Sequence, residues 1–444
     1  MRPKLALPMP NTSSTRQPPA MFRALRHPNY RLWFFGQGIS LIGTWMQTMA
    51  QQVLVYRLTG SAASLGVISF IGLIPLIPLS LWSGSISDRF SKRAIITSMQ
   101  WVMLVQALLL AYLTWSGTVQ IWHVYLMSFF LGAANAIDLP ARQAFTVDMV
   151  EGKDDLANAI GLNSAMFNGA RALGPAMAGI VVAATGEGIA FLINAFTFIP
   201  VIISLGLMTR LPKPIQPPGN VNFVQHMSEG VRFMLSQRVI LVLMTLIAVS
   251  AFLSMPYSTL MPVFAGEILK DSAGPVIQAV CGGSLPFIHC QAPEALPLGI
   301  LLTMVGLGAV TGALIVAAIT DPTHRGIMLT IGNLGFPLAL VFFSTSRSFI
   351  FSGIVLYFVG ISFVLQNALA NTLLQIITPD AVRGRVMSFY TLVFQTTMRL
   401  GGLQAGLMSD RIGAPVSVGI GALISLAYSL FIFFKVPKIR KIEA

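Results

Sequence analysis

The chain has 444 residues, 55% of them hydrophobic and only 10% charged, whereas soluble globular proteins carry roughly 25% charged residues, so a water-exposed surface of this extent cannot be built. The net charge of +13 would suit nucleic acid only if the cations clustered beside aromatics on a polar module, and here they are spread thinly between apolar runs. What remains is one membrane body whose apolar runs of about twenty residues match a hydrocarbon layer of about 30 Å.

In chain order, residues 1–31 hold six basic side chains and several prolines, and no small-residue cleavage site follows; this reads as a cytoplasmic tail that stays attached. Apolar runs then predict helices at 32–55, 64–86, 94–116, 119–137, 157–185 and 188–208. The polar stretch 209–238, rich in proline and with an amphipathic helix expected near 224–235, divides the chain into equal halves. Runs at 239–264, 296–320, 326–346, 348–377, 384–409 and 414–434 follow, with an extended outer loop at 265–295 and a cytoplasmic tail at 435–444. The expected fold is therefore an all-α integral membrane protein of twelve transmembrane helices in two pseudo-symmetric six-helix bundles, 32–208 and 239–434.

Orientation follows from the cations, because cytoplasmic loops retain Lys and Arg. With both termini inside, the inner segments hold 22 of the 28 Lys and Arg, and the outer loops hold only Arg57, Lys270, Arg347 and Arg411. Arg171 and Arg399 fall within helices. An odd helix count would destroy this separation. The halves also echo each other: Leu173-Gly174-Pro175-Ala176-Met177-Ala178-Gly179 in helix 5 matches Leu400-Gly401-Gly402-Leu403-Gln404-Ala405-Gly406 in helix 11, each just after a helical arginine. Transporters built from two homologous bundles carry their site between the halves near the midplane.

The sharpest local feature is the short inner loop between helices 2 and 3, with Gly84, Asp88, Arg89, Lys92 and Arg93. Gly84 permits close approach of a neighbouring helix, and Asp88 can face a helix N-terminus or an arginine, which makes the cluster a candidate latch. Simple topological anchoring by its three cations is the competing reading. The pattern G-x-x-x-D-R-x-x-K-R resembles the signature of the major facilitator superfamily, and the twelve-helix plan with a long central loop is similar to it over nearly the whole chain. The matching loop of the second half keeps Asp321 and Arg325 but lacks the glycine. Asp138-Leu-Pro140-Ala-Arg142-Gln143, Asp155-Leu-Ala-Asn158 and Pro379-Asp380-Ala-Val-Arg383-Gly384-Arg385 resemble the branch that includes enterobactin and macrolide exporters. Gly174, Pro175 and Gly179 are similar to the antiporter motif of drug exporters in that superfamily, although close helix packing alone would use the same residues.

The resemblance implies export by rocking of two halves, coupled to protons, with Asp138 pairing with Arg89 or Arg93 to hold the inner side closed. A mid-membrane arginine costs roughly 2.5–3.5 kcal/mol, so Arg171 and Arg399 are expected to face the central cavity and attract an anionic group, or else to pair with Asn168 or Gln395. Neutral candidates for the cavity wall are Gln37, Gln47, Gln51, Asn163, Asn168, Gln366, Asn367, Asn371 and Gln395, each of which could equally bond between helices. Abundant Met and Phe, 22 and 29, suit an amphipathic organic molecule. Cys281 and Cys290 fall in one outer loop on the oxidising side, and a disulfide between them is the preferred reading over free thiols. The chain lacks a phosphate loop and a metal-ligand cluster, so neither an enzyme nor a cofactor is expected. The expected partners are membrane lipid, a small-molecule substrate and protons, with no nucleic acid and a monomeric state in the inner membrane. The rivals are an uptake permease for a metabolite and a non-transporting sensor or scaffold.

Overall fold

In the computed structural model the described residues are 20–79, 90–150, 152–209, 211, 232–282, 290–319, 321 and 323–437. A short 3-10 turn, Ala20–Arg26, leads into α1 (Pro28–Thr59). Then come α2 (Ala62–Ile71, with turns continuing its path), α3 (Lys92–Trp115), α4 (Ile121–Asp148), α5 (Lys153–Thr185) and α6 (Glu187–Leu207). The second half has α7 (Arg238–Ile268, with two π-helical stretches), an added outer helix α8 (Lys270–Cys281), α9 (Ala295–Ala318), α10 (Thr323–Thr345), α11 (Phe349–Ile377), α12 (Asp380–Ile412) and α13 (Ala414–Lys435). Among the described residues, 9 helices are both long and apolar enough to cross a membrane. The long helices α1, α5 and α12 are not among those nine, and they carry the polar Gln37, Gln47, Gln51, Asn163, Asn168 and Gln395.

The ends of these helices follow from local chemistry. Ser61, Ser91 and Ser348 each accept a hydrogen bond from a first-turn amide, satisfying donors that a helix start leaves open. α5 stops at Gly186 (φ 77°) and α12 at Gly413 (φ 85°), and in both cases the next helix begins at once. A backbone with φ in this region favours glycine, and its recurrence at corresponding places in the halves is a structural sign of the repeat. Pro140 lies inside α4, which runs 11 residues beyond the expected end at 137.

Within the first half α1 packs on α5 and α6, and α3 on α4 and α6; within the second, α11 packs on α9 and α10, and α10 on α13. The halves meet chiefly along two helix pairs, α5 with α9 and α2 with α12, with smaller contacts of α7 on α1 and α2 and of α1 on α9. We call the end holding Pro28, Asp148 and Leu207 the terminal face, and the end holding Thr59, Gly186 and Gly413 the distal face. Most of the amphipathic segment expected near 224–235 lies outside the described residues.

On the terminal face the 3-10 turn is tied to the start of α5. Asp155, 1% exposed, accepts from Arg23 (2.6 Å), pairs with Arg26 (2.6 Å) and meets His27 (2.8 Å), while the Ala24 amide donates to Asn158. Hydrogen bonds from His27 and Arg23 hold the Asp155 carboxyl below its ordinary 3.8, at about 2. A carboxylate with a lowered pKa stabilises the fold above its unfolded value and loses that contribution as pH falls toward the folded one. Protection of the Ala24 amide from hydrogen exchange is therefore expected to persist above about pH 4 and to vanish between about pH 4 and 2. Asp155→Asn is expected to lose it at neutral pH; unchanged protection in that variant would show that the turn is held by other contacts.

Candidate functional site

The contact between the halves is closed at the distal face by small residues and a few polar bonds. A side-chain carbon at Gly299 on α9 would lie 2.7 Å from Gly179 Cα and 2.8 Å from Pro175 O on α5, and one at Gly66 on α2 would lie 2.6 Å from Gly402 O on α12. Gly306 likewise abuts Ala172, and Gly406 abuts Ala62. Small residues let membrane helices approach this closely. Asp410 on α12 accepts from Ser61 Oγ (2.6 Å) and from the Ala62 amide (2.7 Å), capping α2 from the other half. Tyr56 donates to Glu267, and the amides of Gln291 and Ala292 donate to Ala183 O at 2.7 and 3.2 Å. These cross-half hydrogen bonds between described residues lie at this face.

Toward the terminal face the same helices part. Nothing lies within 4 Å of a side-chain carbon placed at Gly161 or Gly169 on α5, or at Gly384 on α12, and Ile160 and Phe167 are 59% and 46% exposed. Contact with the other half thus falls away along α5 from Gly169 toward the terminal face. Arg171 and Arg399 stand near where that contact begins, each three residues before the glycine that seats its helix, Gly174 or Gly402. The Arg171 guanidinium carbon is 5.7 Å from the Trp45 ring of its own half and 5.0 Å from the Phe363 ring of the other. Arg399 reaches across the boundary to α2, where Nη1 lies 2.8 Å from a side-chain carbon built at Gly72.

The remaining candidates divide. Gln37, Gln47 and Gln51 are at most 7% exposed; Gln47 bonds Gln106 at 3.0 Å and accepts from Asn194 at 2.5 Å, and Gln51 donates to Ser128 at 2.6 Å. Those three therefore face the interior of the first bundle, with Gln47 and Gln51 tying α1 to α3, α4 and α6. Asn163 accepts from Tyr30 and donates to Thr146, and Gln366, 2% exposed, accepts from Ser250. Asn367 accepts from Tyr390, Asn371 accepts from Gln375, and Asn168 donates to Ser164 O of its own helix. Gln395 is half-buried on α12, one turn before Arg399. Gly174 seats α5 against Trp45 and the Ile42 carbonyl of α1, and Pro175 is accommodated inside an unbroken α5.

Of the loop cluster, Gly84, Asp88 and Arg89 lie outside the described residues. Lys92 pairs with Asp148 at 2.8 Å, and Arg93 donates to Gly206 O and Met208 O. Asp138 is 2% exposed and its observed partners are Arg142, one turn along α4, and Gln100. In this arrangement an i,i+4 partner serves Asp138, Arg89 lies outside the described residues, and Arg142 in turn lies 5.6 Å from the Trp33 ring. Asp321 meets His324 at 3.3 Å, with Arg325 half-buried beside them. Cys281 and Cys290 form a disulfide, Cα–Cα 5.6 Å, that ties the end of α8 to the segment bonding Ala183.

Several residues of this arrangement escaped the sequence reading. Glu187, 2% exposed, pairs with Arg57 at 2.9 Å at the distal end of the first half; a lone acid beside Gly186 carried no pattern. Gly299 and Gly306 are spaced seven apart on α9, a small-residue stripe that could have marked the α5 contact.

Comparison with known proteins follows the same lines. The family described as "Transmembrane secretion effector" matches residues 20–444. The chain is 24% identical over 417 residues to the staphyloferrin A transporter of Staphylococcus aureus (strain NCTC 8325 / PS 47), spanning 92% of this chain and 96% of that one. It is 23% identical over 422 residues to the enterobactin exporter EntS of Shigella flexneri (94% of each), and 23% identical over 398 residues to macrolide efflux protein A of Streptococcus pyogenes (87% and 92%). Among solved structures, the nucleoside transporter NupG matches with a TM-score of 0.67 at 14% identity, over 93% of this chain and 99% of that one. A bacterial homologue of the human lysosomal transporter Spinster, in an inward-facing and unoccupied conformation, matches with a TM-score of 0.59 at 14% identity, over 95% and 96%.

Proposed function

We propose, from the premise that this chain belongs to the transmembrane secretion effector family of the major facilitator superfamily, that it exports a small amphipathic organic molecule by proton-coupled alternating access. The observation that carries this reading is where the halves touch: glycine contacts join them at the distal face, α5 is bare at Gly161 and Gly169, and two membrane-embedded arginines stand between, a pattern we read as a wedge open at the terminal face. With the terminal face cytoplasmic, as the cation distribution expects, the wedge is an inward-open cavity. Substrate enters it from the inner leaflet or cytoplasm. Rocking about the apex would then part the distal contacts and close the terminal ends, releasing substrate outside. The exporter names among the relatives support the direction of travel.

The supporting polar network is divided in a way that suits rocking. Gln47, Gln51, Asn163 and Gln366 bond within their own halves, so each bundle moves as a unit, while the bonds crossing the boundary are few and sit at the distal gate. The loop holding Gly84, Asp88 and Arg89 would latch the terminal face in the alternate state. Asp88→Asn is expected to abolish transport while membrane insertion is kept; full activity would remove the latch from the mechanism.

The direct test is accumulation of a panel of dyes and antibiotics in cells expressing the chain, with and without an uncoupler. Lower accumulation that the uncoupler restores is expected. Net uptake of a nutrient with no compound expelled would favour a permease, and no movement of any compound would favour a sensor or scaffold.

A further inference from the structure

Arg171 and Arg399 occupy corresponding places in the two halves. Each lies on a 33-residue helix that ends at a glycine of positive φ, and each sits at the point where the halves begin to touch. Each also faces the opposite half: Arg171 lies over Phe363, and Arg399 lies against α2 at Gly72. Each half thus contributes one cation to the boundary between them.

Among the described residues neither cation has a protein anion. The ion pairs between described residues go elsewhere: Asp138 to Arg142, Asp148 to Lys92, Asp155 to Arg23, Arg26 and His27, Glu187 to Arg57, and Asp321 to His324. Arg171 is met instead by aromatic faces, which attract a cation without neutralising it. An arginine this deep in a membrane helix is costly unless it is compensated. Two of them, related by the repeat, at the boundary between the halves and with no carboxylate paired to them among the described residues, call for a counter-charge from outside the chain.

We infer that the substrate is a polyanion: an organic molecule bearing at least two carboxylate-type groups, one for each arginine, on an apolar body that packs against Trp45 and Phe363. A guanidinium binds a carboxylate through two parallel hydrogen bonds, which fixes orientation as well as charge. Held by Arg171 on one side and Arg399 on the other, such a molecule bridges the halves at their pivot. A neutral ester or a cationic amphiphile leaves both charges unmet and binds more weakly. The inference rests on the transport reading above and narrows its substrate.

The test is equilibrium binding of octylsuccinate, its dimethyl ester and octyltrimethylammonium to the full-length chain in lipid nanodiscs. These probes share the apolar tail and differ in charge. The dianion is expected to bind about ten- to a hundredfold more tightly than the ester, the range that charge-assisted hydrogen bonds give. Arg171→Gln and Arg399→Gln are each expected to weaken octylsuccinate binding about tenfold or more while leaving ester binding unchanged. Equal affinity of the unaltered chain for dianion and ester would overturn the inference with no variant needed, as would dianion binding that survives both substitutions. If the dianion is not preferred but dye efflux remains uncoupler-sensitive, the polyanion assignment fails and the exporter reading stands. If octylsuccinate binds as expected but no compound is moved, the failure belongs to the exporter reading.

Discussion

Gly299→Leu is expected to abolish transport while the chain stays folded and inserted. A side chain there would meet Gly179 Cα at 2.7 Å and Pro175 O at 2.8 Å. Both atoms are backbone, so neither can swing aside as a side chain would. Because α9 and α5 belong to different halves, the clash does not strain either bundle internally; it forces the distal face apart. Overpacking costs about 1–3 kcal/mol, enough to shift a two-state equilibrium by about five- to 150-fold. The carrier would then dwell in the distal-open state and fail to reload. Efflux rate, membrane abundance and helical circular dichroism check this together, with Gly299→Ala as the milder step. Normal efflux by Gly299→Leu would mean that the α5–α9 contact is no gate.

The largest loss of stability is expected from Arg57→Ala. Glu187 is 2% exposed, and one of its oxygens, Oε1, has no hydrogen-bond partner, so Arg57 is what balances its charge. Removing one member of a buried ion pair costs about 3–5 kcal/mol. Arg57 itself is 51% exposed, and water screens part of the interaction, so about 1–3 kcal/mol is expected here. Thermal unfolding of the detergent-solubilised protein measures it, and Glu187→Gln added to Arg57→Ala is expected to recover much of the loss. An unchanged melting temperature for Arg57→Ala would show that Glu187 is already neutral or solvated.

The sequence displayed the all-helical membrane body because hydrocarbon thickness imposes a one-dimensional signal: apolar runs of fixed length, bounded by cations. Arg171 and Arg399 stood out for the same reason, being charges where none is tolerated without cause. The division of the neutral candidates was not legible. Gln47 and Gln366 are polar residues in apolar runs exactly as a cavity wall would be, and only their partners, Gln106 with Asn194 and Ser250, place them inside a bundle. Those partners are separated from them by 59, 147 and 116 positions, a distance that no local pattern encodes. Asp138 is a related case: its position at the end of an expected helix suggested a loop partner, but α4 runs on past Pro140 and delivers Arg142 one turn away. Asp410, which crosses the halves to cap α2, lay at a helix edge beside Arg411 and carried no sequence signal of its contact.

The wedge itself is tested most directly by a single cysteine at Gly161, a position on α5 with nothing near it, introduced where the native Cys281 and Cys290 are already paired. A membrane-impermeant maleimide is expected to label it in inside-out vesicles and to leave it unlabelled in right-side-out vesicles. Labelling only from the outer side would contradict both the orientation and the inward-open cavity.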